Sequence, residues 1–426
     1  MIGRLQTAHQ SYPAAGMSLL LSLLCCCSPG HAADSPPAVA AVPTAAATIS
    51  ATGFDPERYE PAVLRLTVTQ DPQGRDSILD LTLIPSRSEL IGKRVTVPTQ
   101  ELGDLLRDLY GRLARQQAMD VANPSSPSRR LHQLLLEPLS ADMQQLAITT
   151  LLISADPGLQ AVPFAALHDG TTYAGERFAM AITPSLGLMP LDVPDSNADS
   201  RRKLAVGASE FDGLAPLPLV PQELERVTPD SGDERYVNRS FTPDVLVQKA
   251  GEESFDRVHV ATHAEFLPGG PGQARLYTGT GPMSLRDFAN LRQRRAGSAP
   301  LELLALSACR TALGDKDSEL GFAGLALQAG ARSAIGTLWY VDDVATSAFF
   351  VQFYRYLEEG LPKAEALQAT RRAMASGLIR LKDNQMLGVG DRPLLSGLTA
   401  NQQRRIASGL EHPFYWAGIT LMGTPW

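Results

Sequence analysis

Five short runs built mostly of apolar residues, 148–153, 204–206, 258–262, 301–307 and 334–338, alternate with segments of helical spacing. A run this short and uniformly apolar reads as a strand buried on both faces. Such strands, joined through helices, make a mostly parallel sheet covered on each side. Helices are expected at 221–227, from Thr242-Pro243 with proline at the first helical position, at about 319–329, and at 342–357 and 362–375. The fold class is therefore α/β, with functional groups gathered at the carboxyl ends of the strands.

Residues 62–97 follow another rule. Val63, Leu64, Leu66 and Val68, then Ile78, Leu79, Leu81 and Leu83, then Leu90, Ile91, Val95 and Val97 alternate with polar positions. Asp71-Pro72-Gln73-Gly74 and Pro85-Ser86 punctuate them, which predicts antiparallel strands. Thr99 is placed to cap a helix carrying Leu102, Leu105, Leu106, Leu109 and Leu113, and 131–139 is a second amphipathic segment. Residues 378–410 are polar with weak periodicity and read as a long loop or partly helical insertion before a last strand at 416–421. No internal repeat argues for a solenoid.

The amino terminus carries Arg4, no acidic residue before Asp34, an apolar stretch from Met17 to Leu24, and small residues ending in Ala32-Ala33. That pattern predicts a secretory signal peptide over 1–33, too short in its apolar part to span a bilayer. An Ala/Pro-rich linker is expected over 34–60. The mature protein is thus expected outside the cytoplasm, periplasmic or secreted, without a stable membrane span. Lipid attachment at Cys25, Cys26 or Cys27 is the lesser alternative, since Leu or Cys precedes each where a small residue belongs. The chain of 426 residues is 44% hydrophobic and has a net charge of −7. That charge argues against a general nucleic-acid or anionic-membrane binder, so no nucleic-acid partner is expected. The basic groups Arg292, Arg294 and Arg295, and Arg371 and Arg372, are read as solvated helix faces.

Once the signal peptide is gone, Cys309 is the single cysteine. A lone thiol is an inert core residue, a link between two chains or a reactive group. Its place after the buried run 301–307 disfavours a link, because a symmetric disulfide needs two exposed sites in close approach. His263 ends the run 258–262 in the same way. If these strands are parallel neighbours about 4.8 Å apart, imidazole and thiol emerge at one edge. That geometry lets the histidine take the thiol proton, or stabilise the thiolate as an ion pair, giving a nucleophile at neutral pH. Backbone N–H groups after His263, at Ala264, and at Cys309 are candidates for an oxyanion hole. His259 is read as a core residue first; His168 and His412 sit in turn-like settings where surface hydrogen bonding is the default. One cysteine with scattered histidines makes no metal site, and Gly269-Gly270-Pro271-Gly272 lacks the Lys and Ser or Thr of a phosphate loop, so neither metal nor cofactor is expected. No G-x-S-x-G elbow is present.

Val260-Ala261-Thr262-His263, the stretch from Leu306 to Gly314 around Cys309, the stretch from Gly330 to Trp339, and His412-Pro413-Phe414-Tyr415-Trp416-Ala417-Gly418 resemble the CHAT domain, a caspase-like peptidase domain related to separases. Val162-Pro163-Phe164-Ala165-Ala166-Leu167 and Thr183-Pro184-Ser185-Leu186 resemble its amino-terminal half. The resemblance implies a caspase-like three-layer sandwich around a mostly parallel sheet. Its amino-terminal, pseudo-caspase-like half, 61–200, carries the antiparallel strands, and its catalytic half is 201–426. It implies a cysteine endopeptidase with Cys309 as nucleophile and His263 as base and acid, acting on a polypeptide substrate through a thioester. Asp343, beside Asp342, matches an acidic position that in separase-like relatives faces a basic side chain before the scissile bond. Both carboxylates are equally suited to start the following helix, Asp342 as cap and Asp343 in its first turn. Ala264 stands where many members carry Gly after the catalytic His, and the helical repeats that often accompany the domain have no counterpart. The alternative reading is a catalytically silent CHAT module that holds a partner polypeptide in the same cleft.

Overall fold

The structure, a computed structural model, describes residues 60–183, 202–252, 254–266, 274–284, 291, 294, 300–308, 327, 330–340 and 342–426. Cys309, the expected signal peptide, nearly all of the expected linker and all of the expected helix at about 319–329 except Leu327 lie outside the described residues.

The first strands, β1 (Pro61–Gln70), β2 (Asp76–Pro85) and β3 (Ile91–Pro98), form the antiparallel meander that alternation predicts. Along β2, Leu79, Leu81 and Leu83 point into the core while their neighbours are half-buried. Helix α1 (Thr99–Ala114) begins at Thr99 instead of being capped by it: the Thr99 hydroxyl pairs with Ser77 Oγ at 3.0 Å. Then come α2 (Pro127–Leu135), α3 (Ser140–Gln145), β4 (Thr150–Ala155), α4 (Ala174–Arg177) and β5 (Ala179–Thr183).

Beyond them run β6 (Arg202–Gly207), α5 (Val220–Val227), β7 (Glu234–Val237), α6 (Pro243–Ala250), β8 (Phe255–Ala261), β9 (Ala264–Phe266), β10 (Ala274–Thr278) and β11 (Gly281–Ser284). As the proline signal predicts, α6 is capped by Thr242, whose hydroxyl accepts from Val245 N at 3.1 Å. The chain continues through β12 (Leu303–Ser307), β13 (Ser333–Thr337), α7 (Asp343–Glu358) and α8 (Lys363–Ala375). It closes with β14 (Arg380–Lys382), β15 (Gln385–Leu387), β16 (Pro393–Leu395), α9 (Ala400–Arg405) and β17 (Ile419–Gly423).

One sheet of eleven strands, in the order β3-β2-β1-β4-β5-β17-β13-β12-β8-β6-β7, runs through the molecule. It is mostly parallel, as expected; β1–β2, β2–β3 and β13–β17 are its antiparallel pairs. Every residue of β5, β12, β13 and β17 is buried, the signature of strands covered on both faces. Because β17 is antiparallel to β13 and parallel to β5, strands β1, β4 and β5 run opposite to β6, β8, β12 and β13. The carboxyl ends of the two sets therefore lie at opposite edges of the sheet.

Several expectations are corrected. Residues 378–410 hold the three-stranded sheet β14-β15-β16 and α9. Three-residue strands show too few positions for alternation to register, and the Asp383-Asn384 turn, with Asp383 at φ 54°, supplies the hairpin. The last strand starts at Ile419, because Pro413–Tyr415 wind into a 3-10 turn. Strands β9, β10 and β11 form a further three-stranded sheet beyond the expected elements. Arg371 is buried, not solvated: α8 turns it inward and its Nη2 donates to the Ile419 carbonyl at 2.6 Å, while Arg372 stays exposed. His168 is likewise buried, with Nδ1 accepting from Gly170 N at 2.9 Å.

Candidate active site

Strands β8 and β12 are parallel neighbours, in the register Leu304↔Val258 through Ser307↔Ala261. In the sequence, His263 stands two residues after Ala261 and Cys309 two residues after Ser307. The strand ends are tied together, for Thr262 N donates to the Ser307 carbonyl at 3.2 Å. Beyond β12, Thr337 at the end of β13 donates its buried hydroxyl to the Ala308 carbonyl at 2.8 Å, fixing the peptide immediately before Cys309.

His263 is held from three sides. Its carbonyl accepts from Tyr277 N of β10 at 3.0 Å, its ring lies 4.7 Å from the Phe211 ring, and Nε2 stands 2.7 Å from the Ala215 carbonyl. A carbonyl can only accept, so Nε2 is the donor in this contact, which leaves Nδ1 as the basic nitrogen of the neutral ring. Phe211 and Ala215 belong to the 208–219 segment between β6 and α5, which the sequence did not single out. That segment can leave β6 beside β8 because Gly207 has no side chain: a Cβ there would stand 2.6 Å from the Ala261 carbonyl oxygen.

Ala264 opens β9 and pairs with Leu276. The Tyr277 N to His263 carbonyl bond makes this a non-hydrogen-bonded pair, so the Ala264 N–H is turned away from β10. A methyl in place of hydrogen at this position is compatible with the strand that follows.

Asp342 and Asp343 follow β13 at the same edge. Asp342 caps α7, Oδ1 accepting from Val344 N at 2.9 Å and Ala345 N at 3.3 Å. Its Oδ2 accepts from Arg405 Nε at 2.8 Å, and Arg405 Nη2 also bonds Asp343 Oδ1. Burial and the neighbouring Asp342 charge push the Asp343 carboxyl above its ordinary range, against the pull of Arg405. Trp339 covers this edge, its Nε1 donating to the Phe414 carbonyl at 2.9 Å, and Gly418 makes room: a Cβ there would fall 2.6 Å from the indole.

His259 is a core residue, as expected. Its Nε2 lies 2.9 Å from Glu223 Oε1, and Glu223 Oε2 accepts from Ser347 Oγ at 2.6 Å, all three being buried. His412 bridges the Gln117 carbonyl at 2.8 Å and Phe414 N at 3.1 Å, and burial lowers its pKa. Among the described residues no group of three or more His, Cys, Asp or Glu is placed to hold a metal, and no helix is long and apolar enough to cross a membrane.

Residues 125–424 match the CHAT domain. The chain belongs to the CHAT domain family. No curated protein matches this CHAT chain. Among solved structures it is similar to separase in the Saccharomyces cerevisiae separase–securin complex, with 11% identity and a TM-score of 0.46, covering 85% of this chain and 30% of that one. It is also similar to the complex of Porphyromonas gingivalis RgpB pro- and mature domains, with 10% identity, a TM-score of 0.38, and 77% of each chain covered. A secreted C11 cysteine protease from Bacteroides thetaiotaomicron shares 12% identity, a TM-score of 0.29, and 46% of this chain against 63% of its own. The CHAT chain thus spans under a third of the separase chain it resembles.

Proposed function

We propose that this CHAT protein is an exported cysteine endopeptidase that cuts polypeptides after basic residues, with Cys309 as nucleophile and His263 as its base. The observation that carries this reading is the parallel pairing of β8 with β12 in the register Ser307↔Ala261, from which His263 and Cys309 are equally distant in sequence. In the proposed cycle His263 Nδ1 takes the thiol proton and the thiolate attacks the scissile carbonyl carbon. The Ala264 and Cys309 N–H groups stabilise the oxyanion. The tetrahedral species collapses as the imidazolium gives its proton to the leaving amine, leaving a thioester. Water, deprotonated by the same imidazole, then releases the acid and restores the thiol. The Asp342 and Asp343 carboxylates face the basic side chain of the substrate in this reading.

A panel of fluorogenic peptides varied before the scissile bond tests it. The parent is expected to turn over peptides with Arg or Lys there, and Cys309→Ala to lose at least about a thousandfold in kcat/KM. The alkylation rate of Cys309 against pH is expected to show a depressed thiol pKa that rises in His263→Ala. A parent with demonstrably reduced Cys309 that cleaves no peptide would sink the peptidase reading and favour the silent, polypeptide-holding module.

A further inference from the structure

Arg405 ends α9 and reaches across to both candidate specificity carboxylates, Nε to Asp342 Oδ2 and Nη2 to Asp343 Oδ1. Asp342 has its other oxygen committed to the α7 cap. The fork of a guanidinium is therefore already seated where the acidic pair would receive one. We infer that Arg405 is an internal occupant of the Asp342–Asp343 pair, and that an alkylguanidinium side chain of a substrate binds there only by displacing it. This inference rests on the reading of the pair as the subsite for a basic side chain.

Three observations support displacement. The Arg405 side chain is 40% exposed, against 13% and 21% for its two partners, so the cation can swing into water while the carboxylates stay. Helix α9 does not have to move with it: the Thr399 hydroxyl caps its start, accepting from Gln402 N at 3.3 Å, and Ile406 and Leu410 just beyond it are buried. Without Arg405, two adjacent carboxylates at a half-buried site repel each other, so the emptied pair favours a guanidinium that comes within reach. Since occupant and ligand are the same chemical group, their contacts nearly cancel. The apparent affinity for the ligand then falls by the fraction of time Arg405 is away.

The pair follows β13, whose carboxyl end shares one sheet edge with those of β12 and β8. Thr337 of β13 holds the Ala308 carbonyl, and the intervening Tyr340 is 56% exposed at this edge.

The test compares the parent with Arg405→Ala and with Arg405→Gln, which keeps the bulk, after circular dichroism has shown which variants fold. Peptides with Arg or with Leu before the scissile bond give kcat/KM, and calorimetry with agmatine, a free alkylguanidine, reads the subsite without catalysis. Emptying the pair is expected to raise kcat/KM about tenfold for the Arg peptide through KM, leave the Leu peptide unchanged, and tighten agmatine binding by a similar factor. Parent and variant that cleave the Arg peptide equally, with agmatine binding unchanged, would overturn the inference and leave the peptidase reading standing. Neither cleaving any peptide while agmatine binds the variant more tightly would overturn the peptidase reading and keep Arg405 as the occupant.

Discussion

Lys363 shows how one side chain can record its surroundings in the stability of the whole protein. It is buried at the start of α8, with Nζ donating to the Glu302 carbonyl at 3.0 Å and the Glu302 carboxylate 3.8 Å away. Burial outweighs that carboxylate and lowers the lysine pKa to about 7. The unfolded chain holds this proton up to its ordinary pKa of about 10.4, so between these values the unfolded state binds more protons and stability rises with pH. Below pH 7 the amine is charged in both states and this gain is absent. The parent is expected to gain about 2 to 3 kcal/mol over Lys363→Met as pH rises from 7 to 9, measured by urea denaturation of both proteins. A difference between the two that stays flat across that interval would show that the amine remains charged in the fold.

Among the elements, α5 does more than cover the sheet. Its Glu223 joins His259 of β8 to Ser347 of α7, with all three side chains buried. The strand that leads to His263, the helix that follows the Ala215 segment, and the helix that Asp342 caps are thereby held by one carboxylate. Glu223→Ala leaves the imidazole and the hydroxyl without their buried partner and is expected to lower stability by about 3 to 5 kcal/mol. Glu223→Gln, which keeps the shape and one acceptor, is expected to lose less than half of that, and chemical denaturation compares the two. Equal losses would mean that packing, not the carboxylate, sets the contribution.

For the whole molecule, the decisive feature is that one sheet runs through both 61–200 and 201–426. Strand β17, the last in the chain, inserts between β13 and β5 and so joins the carboxyl-terminal strands to the amino-terminal ones. Helix α8 packs on β5, β17 and α4 across the same seam. Either half alone exposes a raw sheet edge and a stripe of apolar surface. Separate expression of 61–200 and 201–426 is therefore expected to give aggregated or unfolded protein, with soluble, cooperatively melting material recovered only on co-expression. Two independently folded halves by NMR would refute that coupling.

The sequence by itself determined the α/β class, the antiparallel strands of 62–97, the buried parallel strands and, to within a residue at their starts, the helices expected from Pro243, at 342–357 and at 362–375. Apolar periodicity and capping residues act within a few positions of themselves, and the sequence displays both directly. It also placed His263 at a strand end, since that needs only the end of an apolar run. Tertiary structure alone decided which strands are neighbours, that β17 runs against β13, that Phe211 and Ala215 hold the imidazole, and that Arg405 sits on Asp342 and Asp343. Each of these joins residues separated by tens of positions through contacts that leave no local pattern. The burial of Arg371 belongs with them, because which side of α8 meets the sheet is settled by its neighbours in space and not by its own charges.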